Sequence, residues 1–388
     1  MESTSTFLRS LVRCGEKAAI IARKCRSVKE LNRLLVQEKT GSEKNKPFVE
    51  DFKTLADVLI QATIRRDITQ EFPSLAGHIL GEESTEFTNA TGETIEIVLT
   101  TSRADTMQML LRVLNGNEEA AKALVDAVHA VLHETEVDLC GHVFDHVDLP
   151  LNDLALWIDP IDNTASYIRA FTPDLSDKLG MHVDALQCVV VVIGAFQRTT
   201  GQPLVGVVNQ PFFSTDKEGL WTGRCVWGIS CGPSQGYNSL GTGTGQVPTK
   251  KEANESLIEK RVVLSRSEVA TIVDKLQEAG FESRIANGAG YKLLCVIDGF
   301  VSVFLVSRDS TFKWDTCGAD AILRSMGGGV LRLKSLLESG RCKPETCLIR
   351  YDKPDVSGLD PGQLWRNDGG IVAVCNFKYL DAIITVLR

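Results

Sequence analysis

The residues of this chain best suited to chemistry lie in one stretch, 157–164, which reads Trp-Ile-Asp-Pro-Ile-Asp-Asn-Thr. An apolar run, Leu154–Ile158, leads into it and predicts a buried strand. Pro160 has no amide hydrogen with which to continue a sheet ladder, so we expect the strand to stop at Asp159 and the chain to turn sharply. Asp159 and Asp162 would then point to one pole of that turn.

The neighbouring residues add ligands of a different kind. The carbonyl of Ile161 lies between the two aspartates, and Asn163 and Thr164 begin a predicted helix whose first backbone amides lack partners. Carboxylates and carbonyls bind hard cations, and unpaired amides bind phosphate. The alternative is an ordinary Asp/Pro/Asn turn after a strand, which these residue types also form.

Three more acidic residues stand at the ends of other predicted elements. Glu82 and Glu83 end a short predicted strand. Asp315 precedes a predicted helix over Cys317–Met326, where it could cap the helix. The sharper alternative is a metal ligand, at a place where the helix dipole favours an anion, but the residue by itself favours the cap.

Helical spacing of apolar residues predicts that helices dominate the first third of the chain. Asp57 lies one turn inside one of them, where an ordinary aspartate would face water. The predicted helices cover Phe7–Ala22, Val28–Glu38, Asp51–Glu71, Met107–Leu114 and Glu118–His133.

The pattern after residue 186 changes twice. Three β-rich segments predict consecutive antiparallel strands: Leu186–Phe196, Leu204–Val208 and Leu220–Ser230. Cys231–Ser256 is rich in Gly, Ser and Thr and predicts a flexible connection. Strands and helices then alternate, which predicts a mainly parallel sheet, with a loop over Arg341–Asn367. We therefore predict two domains, an α+β unit over 1–235 and an α/β unit over 236–388.

Composition excludes several classes of protein. The net charge is −8 and no basic run appears, so nucleic acid is not an expected partner. The longest apolar stretch, Cys188–Phe196, is too short to span a bilayer, and no secretory signal begins the sequence. We expect a cytoplasmic monomer without a membrane partner, and its eleven cysteines are expected to be reduced.

One histidine-containing insertion could be mistaken for a metal site. His129 and His133, then His142 and His146, are spaced four apart with Cys140 between the pairs. Their residue types and spacing would suit a zinc site. The segment 134–152 is polar, however, and a surface insertion is the favoured interpretation.

Together the acidic elements resemble the magnesium-dependent, lithium-inhibited phosphatases, a superfamily that includes inositol monophosphatase, fructose-1,6-bisphosphatase and bisphosphate nucleotidase. The matching motifs are Phe52–Asp57, Gly81–Ser84, Trp157–Thr164 and Trp314–Ala319. Other stretches are similar to the branch that acts on inositol polyphosphates: Glu43–Lys46, Asp51–Asp57, Val208–Phe212, Gly288–Lys292 and Thr311–Asp315. The resemblance covers nearly the whole chain, and 134–152 and 341–367 match least.

The resemblance implies an α/β fold, a five-layer α/β/α/β/α sandwich, with a two-Mg²⁺ site between its two sheets and inhibition by Li⁺. The implied ligands of the first ion are Glu82, Asp159 and the Ile161 carbonyl. The implied ligands of the second ion are Asp159, Asp162 and Asp315. Glu83, next to Glu82, would assist in metal binding.

The resemblance also assigns roles in catalysis and phosphate binding. Asp57 and Thr164 would orient and deprotonate the attacking water, with Glu82 at the same metal ion, and the amides of Asn163 and Thr164 would hold the phosphate. Hydrolysis of a phosphate monoester needs charge neutralisation on the attacking and leaving oxygens. Two Mg²⁺ ions about 4 Å apart can supply it, which also provides the positive field that an acidic chain lacks.

Substrate recognition is implied for five residues: Ser267, Gly288, Ala289, Lys292 and Ser310. Lys292 would meet a phosphate that the reaction leaves in place. The chain departs from the family after Ser-Glu, where Val269 replaces an expected lysine. Arg266 could supply the missing charge, because a guanidinium suits phosphate geometry.

Three functions follow as alternatives. The leading one is removal of the 1-phosphate from inositol 1,4-bisphosphate and inositol 1,3,4-trisphosphate. A 3′(2′),5′-bisphosphate nucleotidase would share every metal ligand. A non-catalytic inositol phosphate-binding protein is disfavoured, because the retained carboxylates repel one another without metal.

Overall fold

Two β-sheets with helices around and between them position the acidic residues. The computed structural model describes residues 3–27, 36–45, 51–132, 139, 147–170, 176, 180–232, 236–240, 260–338 and 344–388. Its strands are β1 (Val36–Glu38), β2 (Phe52–Thr54), β3 (Ile79–Gly81), β4 (Glu86–Thr88), β5 (Thr94–Glu96), β6 (Leu154–Asp162), β7 (Val190–Gln197), β8 (Pro203–Thr215), β9 (Trp221–Ser230), β10 (Gly236–Asn238), β11 (Arg261–Leu264), β12 (Glu282–Ile285), β13 (Val303–Val306), β14 (Gly329–Arg332) and β15 (Ile371–Val374).

The helices of the described residues alternate with these strands. They are α1 (Thr4–Ser27), α2 (Leu55–Glu71), α3 (Arg103–Val113), α4 (Glu118–Val128), α5 (Thr164–Arg169), α6 (Ala270–Glu278), α7 (Ala289–Ile297), α8 (Lys313–Ser325), α9 (Leu333–Glu338), α10 (Pro344–Cys347) and α11 (Leu380–Leu387).

The first sheet has six strands in the order β10-β9-β8-β7-β6-β3. Strands β6 to β10 pair antiparallel in succession, which confirms the predicted consecutive antiparallel strands. β3 pairs parallel with β6 at the edge, so the carboxyl ends of these two strands meet. That edge carries Glu82 and Asp159.

The second sheet has five strands in the order β12-β11-β13-β15-β14. β11 pairs parallel with β12 and β13, but β15 pairs antiparallel with both β13 and β14. Four of these five strands therefore run in the same direction, as predicted, and β15 runs against them, which makes the sheet mixed. Alternation of strands and helices does not show the direction of the last strand, because α9, α10 and a long loop precede β15.

The structure has five layers, because helices pack on the outer face of each sheet and between the two sheets. α1 and α2 pack on one face of the first sheet, and their apolar side chains share a core with alternate residues of β6, Leu154, Leu156 and Ile158. α7 and α8 lie between the sheets, in a second core that includes Ala155 and Trp157 of β6. α6 packs with β12 and α11 on the outer side of the second sheet. The five-layer sandwich predicted from the sequence is confirmed.

Two predicted helices near the N-terminus need correction. The helix predicted over Val28–Glu38 is wrong at its end, because residues 36–38 form β1; residues 28–35 lie outside the described part of the chain. The helix predicted from Asp51 begins at Leu55, because residues 52–54 form β2 and pair antiparallel with β1. Helical spacing within one segment cannot reveal a strand partner fourteen or more residues away.

The remaining expectations concern segments that are only partly described. The domain division at residue 235 stays a prediction; β10 pairs with β9 of the first sheet, and the second sheet begins with β11. The predicted flexible connection contains β10, and its residues 241–256 lie outside the described part. The predicted loop after residue 341 contains α10. His129 follows α4, whereas the other three insertion histidines lie outside the described residues.

Two composition-based expectations can be compared with the structure. Eight cysteines of the described residues are free, as expected. Cys347 is disulfide-bonded, so the expectation that every cysteine is reduced is wrong. Among the described helices, each lacks either the length or the apolar character required to cross a bilayer.

Candidate metal centre

A β-bulge brings Asp159 and Asp162 to the same face of the first sheet. β6 does not stop at Asp159 as predicted but continues through Pro160 to Asp162. Asp159 pairs with Val192 and Asp162 with Val190, so β6 has one residue more than β7 between these two pairs. In a regular strand, residues three apart face opposite sides. The extra residue reverses that alternation, and both carboxylates point toward the middle helix layer.

Asp315 reaches the same place from helix α8. It does not precede the helix, as predicted, but occupies its third position, where Oδ2 accepts the backbone N–H of Phe312 at 2.7 Å. The ring of Trp314 stacks on Phe312 with centroids 4.6 Å apart and lies 5.8 Å from Trp157 of β6. This aromatic contact fixes the start of α8 against the strand that carries Asp159.

A row of glycines allows α8 to approach the sheet this closely. Gly194, Gly206 and Gly228 are cross-strand neighbours on β7, β8 and β9. A Cβ on Gly206 would lie 1.8 Å from the carbonyl oxygen of Gly318, and one on Gly194 would lie 2.4 Å from the Gly318 nitrogen. The absence of side chains therefore sets the depth of α8 and hence the position of Asp315.

The three aspartates form a buried acidic cluster. One carboxylate oxygen from each of Asp159, Asp162 and Asp315 lies within 4.8 Å of the others. Burial, followed by the repulsion of neighbouring carboxylates, raises the pKa of Asp159 and Asp315 well above the usual value. Among the described residues, Oδ1 of Asp159 has no hydrogen-bond partner. Mutually repelling acids with an unpartnered oxygen fit a bound cation, and the all-oxygen donor set fits a hard one such as Mg²⁺.

Asp162 is oriented by helix α7. Its Oδ1 accepts the backbone N–H of Ala289 at 3.2 Å, and its Oδ2 accepts that of Gly290 at 2.9 Å. Burial raises the pKa of Asp162 to about 6 although these amides and Lys292 oppose the shift. A Cβ on Gly288, whose φ is +79°, would lie 2.7 Å from Oδ2 of Asp162. Gly288 and Ala289, which the resemblance assigns to substrate, thus also hold a predicted metal ligand.

Glu82 and Glu83 share a buried lysine that sequence reasoning missed. Nζ of Lys39 lies 2.7 Å from Oε1 of Glu82 and 2.7 Å from Oε1 of Glu83. It also lies 3.9 Å from a carboxylate oxygen of Asp51. Burial alone would lower the pKa of Lys39, but the three surrounding carboxylates raise it well above the usual value. The ammonium group supplies positive charge directly beside the predicted first-ion ligands.

The backbone of Glu83 is fixed by helix α2. Gln61 accepts the N–H of Glu83 at 3.1 Å and donates to its carbonyl at 2.5 Å. Gly81 must lack a side chain here, since its Cβ would lie 2.0 Å from the Gln61 side-chain oxygen. Burial raises the pKa of Glu83 to about 8, although Lys39 lowers it.

Asp57 is fully buried, so the expectation that such a residue would face water does not hold. Its Oδ2 accepts the backbone N–H of Thr54 at 2.7 Å and the Thr54 hydroxyl at 2.5 Å. Oδ1 has no hydrogen-bond partner among the described residues, and burial raises the pKa of Asp57 to about 7. The Thr164 hydroxyl donates to the carbonyl of Ile161 at 3.0 Å. The partnership of Asp57 with Thr164 therefore stays a prediction.

A cavity of about 710 Å³ joins these groups to the substrate residues predicted from the sequence. Asp57, Glu83, Arg266 and Val269 are not part of its described lining. The predicted site residues on its wall are Glu82, Asp159, Ile161, Asp162, Asn163, Thr164, Ser267, Gly288, Ala289, Lys292, Ser310 and Asp315.

The cavity wall also includes residues that sequence reasoning missed. Arg308 lies two residues after β13 and three residues before the family-like motif Thr311–Asp315, which was the available signal. Lys39 had none, because it lies in a polar stretch that indicates only solvent exposure. The missed wall residues with charged or polar side chains are Asn45, Asp51, Ser265, Arg308, Asp309, Thr311, Gln363 and Arg366.

Fold and site together define a layered α/β protein with a buried acidic cluster on the wall of a cavity. The chain belongs to the inositol monophosphatase family, whose model matches residues 8–343. It is 40% identical to inositol polyphosphate 1-phosphatase of Homo sapiens over 400 residues, covering 99% of this chain and 97% of that protein. It is 26% identical to the human 3′(2′),5′-bisphosphate nucleotidase 1, covering 84% of each.

Solved structures share the fold at low sequence identity. A structure described as IMPase/NADP phosphatase complexed with NADP and Ca²⁺ superimposes with a TM-score of 0.52 at 12% identity, covering 100% of this chain and 97% of that one. The IMPase of Thermotoga maritima gives 0.50 at 15% identity, covering 97% and 96%. At such identities the similarity shows the fold alone.

Proposed function

We propose that this chain is a Mg²⁺-dependent, Li⁺-inhibited phosphomonoesterase that removes the 1-phosphate of inositol 1,4-bisphosphate and inositol 1,3,4-trisphosphate. The single observation that carries the chemistry is the buried cluster of Asp159, Asp162 and Asp315 on the wall of an open cavity. The inositol substrate class is supported by the full-length relatives at about 40% identity that bear the name inositol polyphosphate 1-phosphatase.

The proposed ligand sets follow the positions of the donors. Asp159, at the end of the regular part of β6, is the shared ligand, because Glu82 is hydrogen-bonded alongside β6 through its N–H to Ile158 at 3.1 Å. Asp162 and Asp315 complete the second set. When bound, the Mg²⁺ ions would activate water and neutralise charge on the phosphoryl and leaving oxygens.

The chain's own groups orient the reactants around that centre. Thr164 and the backbone of Asn163, which adopts a left-handed conformation (φ 70°), start helix α5 beside the acids and are proposed to hold the phosphoryl group. Asp57 is proposed to accept the proton of the attacking water in partnership with Thr164, since a carboxylate with a pKa near 7 is suited to general-base work.

Lys39 is proposed to keep Glu82 and Glu83 in place rather than to touch substrate. Its ammonium group neutralises charge that would otherwise repel the two glutamates from each other, at 2.7 Å from each. Glu83 is consequently proposed to support Glu82 from behind, because it is 6% exposed and does not line the described cavity.

We further propose that the protein acts as a cytoplasmic monomer. The acidic composition and the lack of a basic run support a small-molecule substrate rather than nucleic acid. Size-exclusion chromatography with light scattering at several concentrations tests the monomer, and cell fractionation tests the location.

Phosphate release distinguishes the proposed activity from its rivals. Purified protein is incubated with inositol 1,4-bisphosphate or with adenosine 3′,5′-bisphosphate, each with Mg²⁺, with Mg²⁺ plus Li⁺, and with EDTA. We expect Mg²⁺-dependent, Li⁺-sensitive release from the inositol compound, with the remaining phosphate at position 4. Preferred release from the adenosine compound would indicate a nucleotidase, and release from neither would indicate a binding protein.

A further inference from the structure

Arg308 lies on the wall of the cavity beside residues implied in substrate recognition. It follows strand β13, whose neighbour β11 is followed by Ser265 and Ser267. Because β11 and β13 pair in parallel, the segments after both strands emerge at the same edge. Arg308 therefore stands at the edge of the second sheet that also presents Ser267.

Hydrogen bonds across that edge fix the segment that carries Arg308. Glu268 accepts the backbone N–H of Ser307 at 3.0 Å and also its hydroxyl. Lys292 donates to Ser265 at 2.7 Å. The residue before Arg308 is thus hydrogen-bonded to the segment after β11, and these contacts hold the cavity wall in place at this point.

The guanidinium group of Arg308 has no hydrogen-bonding or ion-pair partner among the described residues. Its nearest acidic neighbour in sequence, Asp309, accepts the N–H of Gly369 at 2.7 Å and lies 3.4 Å from Arg366. Glu268 is engaged by Ser307. Arg366, the other arginine on the wall, already pairs with Asp368 at 2.7 Å. Arg308 is therefore the described cavity arginine whose charge is not already neutralised.

The expected family lysine cannot supply that charge here. Val269 stands at its position, caps helix α6 through its backbone and does not line the described cavity. Arg266, the substitute suggested by the sequence, does not line it either. The positive charge for a second phosphate has to come from another part of the wall.

We propose that Arg308 binds the phosphate that remains on the substrate and so sets the preference for inositol bisphosphates over monophosphates. This inference rests on the proposed function. The guanidinium donates charge-assisted hydrogen bonds to phosphate oxygens, next to Lys292 and Ser310 on the same wall. Arg308, after β13, would thus supply the positive charge that Val269 at the lysine position lacks.

The test compares steady-state kinetics on inositol 1,4-bisphosphate and inositol 1-phosphate for wild type, Arg308→Gln and Arg308→Lys. Arg308→Gln should raise KM for the bisphosphate roughly tenfold or more, with kcat changed less than about twofold and the monophosphate unaffected. Arg308→Lys should recover part of the loss, since it keeps the charge but not the fork geometry. Arg103→Gln is the matched control. It removes an exposed arginine that pairs with Asp126 and is not part of the described cavity lining.

Two further arms separate failure of this inference from failure of the proposed function. Calorimetric titration with inositol 4-phosphate, which carries only the retained phosphate, should show weaker binding to Arg308→Gln than to wild type. If wild type turns over the bisphosphate but Arg308→Gln matches it in KM and in this titration, Arg308 has no such role. An effect of Arg266→Gln in place of Arg308→Gln would also overturn the inference. If wild type neither hydrolyses nor binds these compounds, the proposed function itself is wrong.

Discussion

Gly290 donates its backbone N–H to Oδ2 of Asp162 over 2.9 Å, although the two residues are 128 positions apart. The contact joins the bulged end of β6 in the first sheet to the first turn of α7 in the middle layer. A predicted metal ligand is thereby oriented by a helix that also contributes Ala289 and Lys292 to the cavity wall. Small changes in the glycines of this turn should therefore affect metal binding and turnover together.

Gly288→Ala tests this coupling. Its Cβ would lie 2.7 Å from Oδ2 of Asp162, so we expect the carboxylate to shift and kcat/KM to fall roughly 10- to 100-fold, with a higher Mg²⁺ requirement. Gly358→Ala is the matched control, because Gly358 has the same φ of +79° but its Cβ would meet nothing within 4 Å. Equal effects of the two substitutions on activity would show that backbone strain, and not contact with Asp162, is responsible.

Gly206→Ala tests the depth at which α8 packs. The Cβ would lie 1.8 Å from the carbonyl oxygen of Gly318, so α8 must move outward, at a cost of about 1–3 kcal/mol or more in unfolding free energy. Asp315 moves with the helix, and activity should fall as well. Gly223→Ala in the same sheet is the control, since its Cβ would meet only the flexible end of Arg23 closely. Urea unfolding and phosphate release measure both, and an unaffected Gly206→Ala would contradict the packing argument.

Lys39→Met tests whether the buried ammonium group of Lys39 neutralises Glu82 and Glu83 when no metal ion is bound. Without Mg²⁺ the variant should lose about 3 kcal/mol of stability, because the glutamates stay buried without their partner. Mg²⁺ should recover a large part of this loss. Lys17→Met removes the ion pair with Asp67, 2.5 Å long, and its effect on Tm should be independent of Mg²⁺. The same Mg²⁺ response in both variants would rule out the role given to Lys39.

Asp159→Asn should abolish phosphate release while leaving the fold intact. Repulsion from neighbouring carboxylates contributes to the raised pKa of Asp159, so removing its charge should leave Tm in EDTA unchanged or higher. Addition of Mg²⁺ should then raise Tm less than it does in wild type. Asp216→Asn, in an exposed turn, serves as the control for the chemical change itself. Near-normal turnover by Asp159→Asn would contradict the two-metal assignment.

Lys292 should give substrate binding a pH dependence. Burial lowers its pKa to about 8, although Asp162 and Asp315 oppose that shift. The ammonium form, present below that value, attracts phosphate and the neutral amine above it does not. KM for inositol 1,4-bisphosphate should therefore rise as pH increases through about 8. Lys292→Arg stays charged over this range and should remove the inflection, and its persistence in that variant would assign it to another group.

The candidate residues for hard-cation binding were predicted from the sequence alone. Residue type and position indicated hard-cation binding at Asp159 and Asp162 but left an ordinary turn and, for Asp315, a helix cap as alternatives. The family resemblance then implied Glu82, Asp159, Asp162 and Asp315 as metal ligands. The antiparallel strands after residue 186 were predicted from their residue pattern, and the five-layer fold was implied by motifs shared with a known family. These features depend on local periodicity and on motifs whose residues lie close in sequence.

Tertiary structure decided how those residues meet. The bulge in β6 puts Asp159 and Asp162 on one face, and the glycine row under α8 brings Asp315 to them; both depend on strands far away in sequence. Packing decided that Lys39 lies beside Glu82 and Glu83 and that Arg308 lies on the cavity wall, since a charged residue in a polar stretch looks solvent-exposed until its neighbours are known. Residues 36–38 and 52–54, which were predicted as the end of one helix and the start of another, instead pair with each other as β1 and β2. Local patterns specify what a residue can bind, whereas long-range pairing and close packing specify which residues bind together.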